Sequence, residues 1–407
     1  MVTLAVARYL EPELFGRLSY LLAMVSFLAP LMAMGMNSIV SRELVLRPDS
    51  CQRILGSALV IRLSASCLIF IVAAFLSRVY LPSHQQSMFL LLAGASIMNC
   101  TLIFEFWLHA NSANRYGAVL RLSVLALSSG LRLIAVFFGA RIEVFYYIAS
   151  FEFVLSGLLY LWVYHQVGEG PKKLRCSADE IKYLLSKGRW LLFSGLAATL
   201  YMKIDQIMLG YLIDERTVGI YAVAAKLSEG WFFIPAAIVT AHFPDMIKKR
   251  DEDRIAYQRQ LQQLNDTLFV ISIIIASAVT LVAPWFIETV FGDLYRDSSE
   301  VLVVHIWGVI LIFMRSLLSK WLINEDLLYL SVLSQVAGAL VNVAVNFMLI
   351  PGFGAVGAAY ATVISYSVAS YFILFIHKDS RPMAFIVTKT MLLPFRLISS
   401  AAAKRSS

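Results

Sequence analysis

Charge is scarce in this chain. Only 15% of its 407 residues are Asp, Glu, Lys or Arg, against about 25% in an ordinary soluble domain, which excludes a soluble globular fold. Cysteine is scarce too. Cys51, Cys67, Cys100 and Cys176 show no paired spacing, so no disulfide framework is expected. The six histidines are scattered, without an HxxxH or CxxC pair, and no metal site is predicted. The one glycine-rich run, GFGAVGAA at 352–359, lacks the Lys-Ser/Thr ending and the Mg²⁺ ligand of a phosphate loop. It reads as a site of close helix packing. No nucleophile–base pair stands out either. The chain reads as a non-enzyme with no cofactor.

What is present is apolar sequence. Hydrophobic residues make up 59% of the chain and the mean hydropathy is +0.75. This is an all-α polytopic membrane protein with most of its length in lipid. The opening, MVTLAVARYL, supplies only an apolar stub. Spans follow at about 18–40, 54–77, 86–108, 118–139, 143–164, 189–212, 218–243, 264–291, 300–323, 328–350 and 353–376, eleven in all. The stretch 383–407, with Pro394 and two basic interruptions, reads as an interfacial amphipathic helix.

The net charge of +8 does not require a nucleic-acid partner. Most of the 34 Lys and Arg residues fall in the loops 41–53, 109–121, 165–189 and 244–260 and in the tail. The alternate set holds only Arg8, Arg17, Arg78, Arg141, Arg216 and Arg296. Basic loops face the cytoplasm, so the C-terminus is expected there.

LEPELFGRLSY at 10–20 and IDERTVGIYAV at 213–223 share an acidic pair followed by Gly16 or Gly219, and Pro30 or Pro235 lies further on. The correspondence predicts two six-helix lobes in parallel, related by an axis along the membrane normal. Their expected extents are 1–165 and 189–377, with a basic cytoplasmic linker at 166–188 and a tail at 378–407. A full span precedes the acidic turn in the second lobe but only the stub in the first, so the first helix is expected to be largely missing.

The hairpin 189–250 has charge inside its apolar runs, which by itself suggests a transporter. Its pieces KIDQIMLGYL (203–212), VGIYAVAAKLSE (218–229) and IPAAIVTAHFPDM (234–246) resemble the Wzx-type polysaccharide flippases of the multidrug/oligosaccharidyl-lipid/polysaccharide exporter superfamily. ARYLEPELFGRLSY (7–20), GMNSIVSREL (35–44) and PGFGAVGAAYATVISY (351–366) extend the resemblance over nearly the whole chain. The resemblance implies a two-lobed bundle in the bacterial inner membrane. It would flip an undecaprenyl-diphosphate-linked oligosaccharide, an O-antigen or exopolysaccharide unit, by alternating access beside other polysaccharide-assembly proteins. The alternative is an ion-coupled small-molecule efflux pump of the same superfamily.

Such a substrate is anionic, and cations at membrane depth would stabilise it. Lys203 lies about 20 Å past Trp190 along a helix, and Arg132 sits deep in its own span. Both are expected to line a central cavity, with Lys226 and Arg62 as further substrate contacts. A bundle-internal ion pair is the bland alternative for Lys203 and Arg132, a bridge to Glu229 three residues on for Lys226, and snorkelling for Arg62. Asp205 matches an acidic position of the resembling family. It is read either as the carrier of a coupling proton or Na⁺, or as a fold-holding ion-pair partner. Glu229 and Glu105 (four residues before His109) are read in the same way. Asn342 and Asn346, also four apart, are expected to bond between helices.

Overall fold

The computed structural model describes residues 2–167, 173–393 and 396, without the side chains of Trp190, Ser194 and Asp251. The described elements are helices. They run α1 Val2–Ala33, α2 Met36–Leu46, α3 Cys51–Tyr80, α4 Ser83–Ser96, α5 Ile103–Ala110, α6 Asn114–Phe137, α7 Ile142–Val167 and α8 Ala178–Leu212. The series continues with α9 Glu215–Glu229, α10 Phe233–Glu252, α11 Arg254–Phe291, α12 Asp297–His305, α13 Gly308–Asn324, α14 Leu328–Ser370 and α15 Arg381–Met391, with short 3₁₀ turns between some of them.

Nine stretches among the described residues are long and apolar enough to cross a membrane; the sequence reading gave eleven. Two features separate the counts. The expected span 189–212 lies in α8, where Lys203, Asp205 and Gln206 interrupt the apolar run. The expected spans 328–350 and 353–376 join in one stretch, Leu328–Phe375. That stretch is broken at Gly354 (φ +53°), a conformation glycine adopts without steric cost. Large apolar side chains stay exposed on the helix surfaces, among them Phe137, Leu281 and Met348, as hydrocarbon surroundings allow.

The chain divides into two compact units, Met1–Lys203 and Ile204–Ser407. The division falls inside α8, past the linker at which the sequence reading placed it. Linker residues 168–172 and tail residues 394, 395 and 397–407 lie outside the described residues.

In the first unit α1 bends at Glu11 (φ +60°), so the residues before it form a separate arm. Helix α7 packs against α4 and α6, and α1 against α3. The core joins Met36, Ile54, Leu55, Phe104, Leu108 and Tyr164, with Phe104 and Tyr164 stacked at 4.4 Å. The segment entering α8 lies along α3. Arg175 N donates to Gln52 O at 3.2 Å, and Ser177 N donates to Ser57 Oγ at 3.1 Å. A Cβ on Gly56 would collide with the Arg175 backbone. Arg47 reaches Glu43 at 2.8 Å and Glu180 at 2.7 Å, and Tyr183 Oη donates to Glu43 at 3.1 Å. The Glu180 hydrogen bond holds the Arg47 pKa above its ordinary value.

In the second unit the caps are written in the sequence. Asp214 accepts from Thr217 N at 2.7 Å to start α9, and Asp253 accepts from Ile255 N and Ala256 N to start α11. Helix α11 packs on α10, α12, α13 and α15. The amphipathic α15 buries Met383, Ala384 and Val387 and leaves Phe385 exposed. Its buried Thr390 fixes it to α11, accepting from Asn265 Nδ2 at 3.0 Å and donating to Asp266 Oδ1 at 2.6 Å.

Candidate functional site

Two buried polar clusters stand out, one in each unit. The first centres on Arg62 of α3, which is 4% exposed. Its guanidinium donates to Asn37 Oδ1 at 3.3 Å and to Asn99 O at 2.9 Å, while Nε is buried without a partner among the described residues. No carboxylate lies within ion-pair distance of it among the described residues. A buried cation is costly unless an anion or hydrogen bonds compensate it, and here only two neutral acceptors do. Snorkelling is corrected by this burial: the side chain stays among α2, α3 and the turn at Ile97–Leu102 and does not reach out to water.

The second cluster centres on Asp205 of α8, 3% exposed. Asn346 Nδ2 donates to its Oδ1 at 2.6 Å. Tyr221 Oη and Thr362 Oγ1 each donate to its Oδ2 at 2.8 Å. Asn346 Nδ2 also approaches Asn342 Oδ1 at 3.0 Å, and Asn342 Nδ2 donates to Ser365 at 3.3 Å. The break at Pro351–Gly354 lets one arm of α14 present Asn342 and Asn346 to Thr362 and Ser365 of the other. A Cβ on Gly357 would strike the Leu349 carbonyl, so the glycine run serves a turn and a close approach.

The cluster does not match the ion-pair reading of Asp205, since its partners among the described residues are neutral donors. It is rich in oxygen. Besides the carboxylate it holds Asn342 Oδ1, Thr362 Oγ1 and the Ala358 carbonyl, to which Thr362 can also donate at 3.0 Å. Asn346 Oδ1 is buried and has no hydrogen-bond partner among the described residues. An all-oxygen set with an orphaned acceptor fits a hard cation or a shared proton.

Arg132, Lys226 and Glu105, also expected site residues, have ion-pair partners of their own. Arg132 on α6 pairs with Glu152 on α7 at 2.5 Å. Lys226 pairs with Glu229 at 3.8 Å. Glu105 lies 2.7 Å from Arg121 and 3.9 Å from His109. Lys203 is half-buried on α8. Sequence reasoning overlooked Tyr221 and Thr362, whose hydroxyls carry no period or charge signal. It also overlooked Arg121, which it counted only as a loop cation, and Glu152.

Comparison with known proteins follows the same direction. Residues 1–250 match the family described as polysaccharide biosynthesis protein. A relative described as the probable flippase AglR of Haloferax volcanii is 26% identical over 256 residues, covering 60% of this chain and 51% of the relative. The chain thus matches about half the length of that relative. Among solved structures, an inward-facing multidrug resistance MATE family transporter of the MOP superfamily superposes with a TM-score of 0.73 at 14% identity, covering 96% of this chain and 95% of that one. The lipid II flippase MurJ in its inward closed conformation superposes with a TM-score of 0.66 at 14% identity, covering 98% and 93%. The chain shares the fold of these two transporters, and it belongs to the polysaccharide biosynthesis protein family.

Proposed function

We propose that this multi-pass membrane protein flips a lipid-linked oligosaccharide across the membrane that holds it. The carrier is read as undecaprenyl diphosphate and the membrane as a bacterial inner membrane with the basic loops and C-terminus in the cytoplasm. The two units are read as parallel repeats that alternate access. The observation that carries the reading is Arg62, a buried cation with no carboxylate partner among the described residues. An anionic diphosphate would supply the missing charge through charge-assisted hydrogen bonds. Lys203, Arg132 and Lys226 are assigned to the sugar and phosphate path, with the last two exchanging a carboxylate partner for substrate. Family membership supports a glycan substrate, and the flippase name of the relative from Haloferax volcanii supports its transfer across the membrane.

The Asp205 cluster is proposed as the coupling site. Asp205, Asn342, Asn346 and Thr362 would hold a sodium ion or a proton, and its occupancy would bias the second unit between two states. The same buried carboxylate favours the rival reading, small-molecule efflux, because cationic substrates seek such a group. A lipid extract from a strain lacking the gene separates the two. Build-up of a diphosphate-linked oligosaccharide with loss of surface polysaccharide is expected. An unchanged lipid pool with altered drug sensitivity would overturn the flippase reading.

A further inference from the structure

The second unit contains a cleft of about 650 Å³ that neither buried cluster uses. Its walls are the first turns of α11, Trp321 of α13, one face of α15, and Arg396 beyond it. Among the described residues four cations line it, Arg254, Arg259, Lys389 and Arg396, against one carboxylate, Asp266.

The charges in the cleft are unequally committed. Arg254 is held by Glu325 through two hydrogen bonds of 3.0 and 3.3 Å. Arg396 lies 3.3 Å from Asp266 Oδ2. The other Asp266 oxygen accepts from Thr390 at 2.6 Å and from Gln262 at 2.8 Å, so this carboxylate is spent inside the wall. Arg259 on α11 and Lys389 on α15 are exposed and have no carboxylate within ion-pair distance among the described residues. Two uncommitted cations therefore face one cleft from two helices, and the acid that could neutralise them is satisfied elsewhere.

The rim adds a second chemistry. Ile255 is 72% exposed and Phe385 is 65% exposed, and both border the cleft beside the free cations. Phosphate alone has no use for an apolar rim, whereas a phosphate ester carrying an acyl chain matches both parts. We infer that this cleft binds the phosphodiester headgroup of an anionic glycerophospholipid. Arg259 and Lys389 contact the phosphate, and Phe385 and Ile255 contact the first carbons of the chains. The leaflet is the one facing the basic loops, which rests on the orientation given under the proposed function. Bound there, the lipid ties α15 to α11 from outside, where Thr390 already ties them from within.

The test uses the full chain in phosphatidylcholine nanodiscs doped with phosphatidylglycerol, with retained lipid counted by native mass spectrometry. Phosphatidylglycerol should be retained over phosphatidylcholine. R259Q/K389Q should weaken its binding by about fivefold for each cation removed. F385S should weaken phosphatidylglycerol binding while leaving any affinity for inorganic phosphate unchanged. Equal retention of the two lipids by the parent would overturn the inference, as would unchanged phosphatidylglycerol retention by R259Q/K389Q. Displacement of phosphatidylglycerol by inorganic phosphate at matched concentration would assign the cleft to free phosphate and overturn it too. Displacement by undecaprenyl diphosphate would assign it to the transport carrier, with the same result. R62M, which removes the cation proposed to meet substrate, should keep full phosphatidylglycerol binding, so failure of the transport reading and failure of this one give different data.

Discussion

Asn346 donates to Asp205 across 2.6 Å, joining α14 to α8 inside the second unit. The same amide leaves its own oxygen buried and unpartnered among the described residues. A bond that satisfies the acid while stranding an acceptor is poorly explained as packing alone, because orphaned buried acceptors cost free energy. It is well explained if another ligand shares the cluster.

That relationship separates two substitutions. Asn346→Ala deletes one interhelical hydrogen bond, worth about 0.6 kcal/mol in membrane bundles, so membrane abundance should hold. Asp205→Ala strands donors on Tyr221, Thr362 and Asn346 and should cost about 2 kcal/mol or more. Asp205→Asn keeps the shape but removes the charge. Transport in proteoliposomes by the Asp205→Asn variant should lose its response to an imposed sodium or proton gradient while the protein remains folded by thermal melting. Retention of a normal gradient response would remove the cluster from coupling.

Arg62 makes the opposite prediction for stability and activity. Replacing a buried cation that only neutral acceptors hold among the described residues with an apolar side chain of similar length is neutral or stabilising. Arg62→Met should therefore melt at or above the parent temperature, yet lower surface polysaccharide at least tenfold if the cation meets the diphosphate. Arg62→Lys keeps a charge but not the planar fork that bonds both Asn37 and Asn99, and should retain partial activity. A destabilised Arg62→Met protein, or one with full surface polysaccharide, would refute the assignment.

How much of this was legible beforehand follows from what each residue signals. Long apolar runs and basic loops declare themselves in composition, so the helical membrane fold was readable. The charges at 62, 132, 203, 205 and 226 were readable as well, because a charge in an apolar run is conspicuous. Apart from Glu229, three residues from Lys226 on the same helix, their partners were not. Glu152 lies in another helix from Arg132, and Tyr221 and Thr362 look like ordinary packing residues until the break at Gly354 (φ +53°) brings the arms of α14 together. Arg47 read as a loop cation marking orientation, whereas it grips Glu43 and Glu180. Arg62 read as a snorkelling side chain because its depth depends on α2 and the Ile97–Leu102 turn, which no local pattern of α3 reveals.

Arg132 tests whether an ion pair can also serve substrate. Its pair with Glu152 spans α6 and α7 at 2.5 Å, with both side chains partly exposed. Arg132→Ala and Glu152→Ala should each change stability by less than about 1 kcal/mol, the range of partly exposed pairs. If Arg132 serves only the fold, the exchanged pair Arg132→Glu with Glu152→Arg should restore surface polysaccharide to parent level. If it serves substrate as proposed, the exchange should restore melting behaviour and leave surface polysaccharide low. Matched abundance in membranes, read by immunoblot, makes the comparison valid.

The approach of α8 to α2 inside the first unit gives the last prediction. Gly35 (φ +67°) and Gly188 meet so closely that a Cβ on Gly35 would fall on the Gly188 carbonyl, and one on Gly188 would meet Met34 and Met36. Gly35→Ala therefore adds two penalties, a left-handed backbone conformation of about 1 kcal/mol and a backbone collision that side-chain motion cannot relieve. Gly195, by contrast, has only Pro30 among the described residues near its would-be Cβ, at 3.4 Å. In a helix, alanine gains roughly 0.8–1 kcal/mol over glycine in propensity. Gly35→Ala should lower the melting temperature and membrane abundance, whereas Gly195→Ala should be neutral or stabilising. Arg47→Ala should fall between them, because it leaves Glu43 and the buried Glu180 without their shared cation. Reversal of the glycine order in a thermal melt would mean that α8 does not hold this close contact with α2.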